Sequence, residues 1–149
     1  MLPIYCKTER AVLVLGVFDE RKVMYFVNDD LPSPGINLEI SGTTPMNQLI
    51  AERIMDQFGG SADFNIYQEF QEVFADEDGI ETTLFLGELT TEGRVDSEWP
   101  TMPEILRSMP KNKSRVAYLK AWQVLTGGLQ LNTKAVEVSE VKKALNIED

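Results

Sequence analysis

Apolar and polar positions alternate along the first ninety residues in a way that marks strands broken by one helix. Residues 11–18 (AVLVLGVF) form an apolar run of strand length, and residues 22–28 (KVMYFVN) form a second. The short polar link Asp19-Glu20-Arg21 predicts that the two make a hairpin. Residues 29–35 hold two prolines and a glycine and read as a loop. Ile36, Leu38 and Ile40 then alternate with Asn37, Glu39 and Ser41, the pattern of a half-buried strand. Further on, residues 64–75 (FNIYQEFQEVFA) alternate in part with period two, and residues 80–89 (IETTLFLGEL) do so more weakly. The turn-like DEDG at 76–79 makes them a second hairpin. The aromatic enrichment of 67–74 favours strand over helix there.

Between the hairpins the period changes. Ile50, Ala51, Ile54, Met55 and Phe58 share one face of a 3.6-residue wheel. Gln48, Glu52 and Asp56 line the opposite stripe, with Arg53 and Gln57 beside them. Thr44 is placed to cap this helix, with Pro45 at its first position, and Gly59-Gly60 supplies a left-handed stop. After a polar loop at 90–100, Thr101 is placed to cap a short helix through Met109. Residues 110–114 break it, and Ser114 opens a longer helix over 115–126 that ends at Gly127-Gly128. Residues 137–146 read as a last, weaker helix. Strands first, a helix, a hairpin, then helices: this order predicts an α+β sandwich, a mixed sheet with helices on both sides.

Composition narrows the chemistry. A chain of 149 residues with 43% hydrophobic and 26% charged content reads as one globular domain, 1–149. No apolar run approaches the length of a membrane span and the N-terminus lacks a signal-peptide layout, so the expected location is cytoplasmic. Cys6 is the single cysteine, which excludes an intrachain disulfide, and there is no histidine. The commonest general base and the Ser-His and Cys-His pairs are therefore absent. Catalysis would fall to carboxylates, Lys, Tyr or a metal held by oxygen, which favours Mg²⁺ or Mn²⁺. The net charge of −10 argues against broad binding to DNA or to an anionic membrane. Five of the 14 basic residues (Arg107, Lys111, Lys113, Arg115, Lys120) nevertheless fall in one stretch, a local patch suited to a small anion.

The stretch from Leu31 to Gly60 (LPSPGINLEISGTTPMNQLIAERIMDQFGG) resembles in layout the signature segment of the Nudix superfamily, a glycine loop followed by a helix of metal-binding carboxylates. That signature has a glycine, a glutamate six residues later, and a helix reading Arg-Glu-hydrophobic-x-Glu-Glu-x-Gly. With its last glycine on Gly59, Glu52 takes the arginine position and Arg53 the first glutamate. Ile54 takes the hydrophobic position, and Asp56 and Gln57 the two later glutamates. Pro34-Gly35 matches the loop, and Thr44 falls where the earlier glutamate would be. The resemblance implies a Nudix-like α/β/α sandwich with a mixed sheet. Its box is degenerate, because only Asp56 keeps a carboxylate in place.

Three functions follow as expectations. The leading one is a non-catalytic binding or interaction domain for a nucleotide-like or other phosphorylated ligand. The second is an active hydrolase of a nucleoside diphosphate linked to another moiety. Glu52 and Asp56 would then be catalytic and hold Mg²⁺ or Mn²⁺, and Glu69, Glu72, Glu81 or Glu88 of the hairpin would complete the set. The third is a homodimeric scaffold in which apolar strands such as 11–18 find cover.

Each candidate has a plainer alternative. Glu52 and Asp56, one turn apart, hold a cation or form a solvated helix face. Lys111, Lys113 and Arg115 bind phosphate near a helix start or form a solvated turn. Trp99 stacks on a ligand or packs on the sheet. Trp122, with Val116, Leu119 and Val124, reads as core. Asp76, Glu77 and Asp78 read as a solvated turn, and Cys6 lacks the surroundings of a reactive thiolate.

Overall fold

The computed structural model describes residues 3–18, 24–28, 35–40, 42–60, 63–75, 79–89, 99–108 and 113–126. Five strands form one mixed sheet: β1 (Arg10–Phe18), β2 (Met24–Phe26), β3 (Ile36–Leu38), β4 (Phe64–Ala75) and β5 (Glu81–Leu89). The helices are α1 (Met46–Phe58), α2 (Met102–Ser108) and α3 (Lys113–Thr126). The strand order is β2-β1-β5-β4, and β3 shares the β2 side of β1. β1 and β5 run parallel at the centre, and all other pairs are antiparallel.

Central placement explains why β1 and β5 alternate poorly. Residues 11–17 and 82–87 are buried throughout, so both faces of each strand are covered. Ala11, Leu13, Leu15 and Val17 join Phe85 and Leu89 in a core beneath α1, which contributes Met46, Ile50, Ile54 and Phe58. Val14, Leu84 and Leu86 point the other way. They pack with Met24, Phe26 and Phe74 against α2 and α3 through Met102, Ile105, Tyr118, Leu119 and Leu125. Two separate cores on one sheet make an α/β/α sandwich, the architecture the element order implied.

Two glycines let the layers close. A Cβ on Gly16 would sit 2.9 Å from Leu125 Cδ1, so α3 comes down onto β1 at this point. Gly35 has φ of +111°, and a Cβ there would lie 2.9 Å from the Leu13 carbonyl oxygen. Only glycine meets both demands at the entry to β3.

Several expectations change. Residues 11–17 of the 11–18 strand are interior and buried, so they supply no exposed apolar surface for pairing of copies. The second strand is shorter than 22–28, and the third stops at Leu38, leaving Ile40 exposed. Thr44 does not cap α1: Pro45 occupies the N-cap and makes no side-chain cap bond. Met55 is exposed and Ala51 only half-buried, so the apolar stripe of α1 is narrower than the wheel implied. Thr101 pairs with Tyr25 as a β-bridge, and its carbonyl accepts the Ile105 N–H as α2 begins. α3 starts at Lys113, which puts Ser114 inside the helix rather than at its cap. Val116 is half-buried and Val124 exposed, whereas Leu119 is fully buried and Trp122 packs half-buried on the core. Gly59 ends α1 with φ of 92°, as its sequence position suggested. The links at 19–23 and 76–78, the loop at 90–98 and the helix expected at 137–146 lie outside the described residues.

Candidate functional site

α1 is held by Met46, Ile50, Ile54 and Phe58, one per turn, and this fixes which side chains face outward. Gln48, Glu52, Asp56 and Gln57 are exposed. Gln48 Nε2 donates to Glu52 Oε1 at 3.1 Å, and an Arg53 guanidinium N–H donates to Gln57 Oε1 at 2.8 Å. Both bonds run along the helix at i, i+4 and carry the modest worth of surface pairs. Glu52 and Asp56 do share a face one turn apart. Among the described residues, however, no group of three or more His, Cys, Asp or Glu side chains comes close enough to hold a metal ion.

The hairpin carboxylates do not join them. Glu72 lies 3.6 Å from Lys120 of α3, on the far side of the sheet from α1. Glu88 accepts a hydrogen bond of 2.8 Å from the Tyr67 hydroxyl, and Tyr67 packs against the α3-side core. Glu69 and Glu81 are exposed. A Mg²⁺ or Mn²⁺ site of the kind implied by the Nudix resemblance needs several converging carboxylates. Within the described residues this donor set does not fit it.

The Tyr67–Glu88 pair comes from an irregularity that the alternation of 64–75 hides. Ile66 pairs with Gly87 but Gln71 pairs with Phe85, so residues 67–70 stand opposite Leu86 alone. This bulge swings Tyr67 and Phe70 toward α3 and sets Tyr67 over Glu88. Burial first, then the bond to Glu88 and its negative charge, pushes the Tyr67 hydroxyl up to about 12. Sequence reading did not single Tyr67 out. The aromatic excess over 64–74 was the available signal, and it marked a strand rather than a bulge.

The expected ligand-binding residues are dispersed. Trp99 is half-buried in the α1-side core, edge-on to Phe58 with ring centroids 5.9 Å apart and planes at 77°. Phe58 leads by a short link into β4, whose first residue Phe64 pairs with Leu89 at one end of the sheet. Arg115 is half-buried in the first turn of α3, one turn before Tyr118. Tyr118 packs on Phe74, which pairs with Thr82 at the other end. Trp99 and Arg115 therefore lie on opposite faces and toward opposite ends of the sheet. Lys113 opens α3 in the same turn as Arg115, and Lys111 and the acidic turn at 76–78 lie outside the described residues. Cys6 is half-buried, its Sγ 3.3 Å from Thr8 Oγ1.

No described helix is long and apolar enough to cross a membrane. No family model matches the chain, and no curated protein matches it. Among solved structures, an Ap4A hydrolase from C. elegans, determined as a binary complex, shares the architecture with a TM-score of 0.56. The match spans 81% of this chain and 100% of that one at 12% identity. At that identity the likeness shows the fold, which is Nudix-like.

Proposed function

We propose that this chain is a Nudix-fold binding domain for a phosphorylated, nucleotide-like ligand, and that it does not work as a pyrophosphohydrolase through α1. One observation carries the reading. The two α1 carboxylates face solvent without a third donor among the described residues, while the hairpin carboxylates nearest to being recruited are engaged on the other face by Lys120 and Tyr67. Binding would fall to the basic stretch Lys111, Lys113 and Arg115, where the positive end of the α3 dipole adds to the positive charge. At physiological salt the screening length is about 8 Å, so this cluster outweighs distant acids in a protein of net charge −10. The contact of Trp99 with Phe58 supports a packing role, apart from the ligand.

Calorimetric titration of a nucleotide panel tests this on wild type and on the Lys111→Ala/Lys113→Ala/Arg115→Ala triple variant. Each lost charge-assisted contact is expected to weaken binding by roughly 1.5–3 kcal/mol. Equal affinity in both proteins, with the fold intact by circular dichroism, would assign the patch to solvation.

A second reading takes its support from the fold shared with an Ap4A hydrolase. Here Glu52 and Asp56 would hold Mg²⁺ or Mn²⁺, with carboxylates from outside the described residues, and the substrate would be Ap4A or another nucleoside diphosphate linked to a second moiety. Turnover of such compounds with either metal, abolished by Asp56→Ala, would establish this reading over the first.

A further inference from the structure

α1 begins without a local cap, and its first amide is satisfied from far away in the chain. The Met46 N–H donates to the Ile4 carbonyl, and the Ile4 N–H reaches Asn47 Oδ1 at 3.4 Å. This is the reciprocal logic of a capping box, with the N-terminal segment standing in for the missing cap residue. The same segment is anchored by packing. Ile4 and Cys6 sit half-buried against the α1-side core, while Pro3, Tyr5 and Lys7 between them are exposed. Its far end is tied down at Thr8, whose hydroxyl donates to the Arg10 carbonyl at 2.8 Å and lies 2.6 Å from Thr83 Oγ1 on β5.

We propose that residues 3–8 act as a releasable strap that couples the start of α1 to the central sheet. In the closed state the strap caps the helix and covers part of the α1-side core. In the open state Met46 loses its acceptor, the first turn of α1 frays, and the Cys6 thiol becomes more accessible, while the pairing of β1 with β5 stays intact. Half-buried anchors and a few hydrogen bonds place this opening at the low-stability end of the molecule. The strap stands independently of which ligand the domain takes.

Because Cys6 is the single cysteine and half-buried in the closed state, a rise in its rate of reaction with a disulfide reagent such as DTNB reports strap opening. The experiment measures that rate and the NMR-detected exchange of the Met46 amide together, in wild type, Ile4→Gly and Asn47→Ala. Ile4→Gly removes the apolar anchor and Asn47→Ala one hydrogen bond. Both rates are expected to rise by a matching factor, on the order of tenfold for Ile4→Gly and less for Asn47→Ala. The amides of Leu13 and Leu86 in the sheet should keep their protection. Faster Cys6 reaction with unchanged Met46 exchange would overturn the coupling. Loss of protection at Leu13 and Leu86 in step with Met46, in both variants, would overturn it equally, since the segment would then belong to the global fold.

Discussion

On the α1 side of the sheet, the charged side chains interact along their own helix. Gln48 bonds to Glu52 and Arg53 to Gln57. On the α3 side, the sheet's carboxylates are tied across elements: Glu72 to Lys120 of α3, and Glu88 to the Tyr67 hydroxyl inside the β4 bulge. Both faces bury comparable apolar cores, so the contrast lies in the polar groups alone. It separates acids committed to the architecture from acids left to the solvent. Only the second kind can gain a new partner without breaking a tie between elements.

The widest test of this comparison is whether the two cores contribute equally. Ile54→Ala beneath α1 and Leu119→Ala beneath α3 should each cost about 2–5 kcal/mol in urea unfolding, with one shared transition. A second transition in either variant would show that the layers unfold separately, and the faces would have to be treated as independent units.

The Tyr67–Glu88 bond sharpens the comparison next. Tyr67→Phe should cost about 1 kcal/mol, less than the roughly 1.5–3 of a fully buried bond to a charge, because both side chains are half-exposed. Its pH dependence has a definite sign. The folded hydroxyl is pushed up to about 12 from the usual 10, so the neutral form is favoured by folding. The contribution is whole below pH about 10 and is lost as pH rises through about 12. Tyrosinate absorbance should show a late-titrating phenol in wild type that is missing from the variant.

Lys120→Met tests the weaker tie on the α3 side. An exposed bridge of this kind contributes about 0.2–1 kcal/mol, and raised salt should shrink the difference between variant and wild type. The smallest effect belongs to α1. Asp56→Ala should change stability by no more than about 0.5 kcal/mol, as at an exposed site with no tertiary partner among the described residues. A loss well above that in thermal unfolding would mean that Asp56 has a structural partner and would break the contrast between the faces.

Most of the architecture was legible because it rests on local pattern. The i, i+4 recurrence of Ile50, Ile54 and Phe58 specified α1, and the apolar runs at 11–18 and 80–89 specified strands. The same runs held a further clue in their lack of alternation, which is what burial on both faces of a central strand requires. What stayed hidden depended on contacts distant in sequence. Thr44 has the right chemistry for a cap, yet Ile4 supplies the acceptor because the chain's start folds back onto α1. The β4 bulge left only partial alternation, and nothing in that blur distinguishes a bulge from a weak strand. At the candidate site, the spacing of Glu52 and Asp56 was readable, since it follows from the helix. Which hairpin acids would join them was not, because a strand's facing depends on register and the bulge resets the register midway.

The parallel pairing of β1 with β5 also bears on how the protein is made. Arg10 pairs with Thr82, so the sheet's centre joins segments separated by most of the described chain. Closing so long a loop is entropically costly and gives the fold a high contact order, whereas the β4–β5 hairpin needs only a short turn. During synthesis at about 5–20 residues per second, β1 leaves the ribosome roughly 4–14 s before its partner strand exists. For that interval AVLVLGVF can pair with β2 and β3 along one edge, while its other edge lacks β5. A central strand covered on both faces in the finished protein therefore presents an open, apolar edge while the protein is being built.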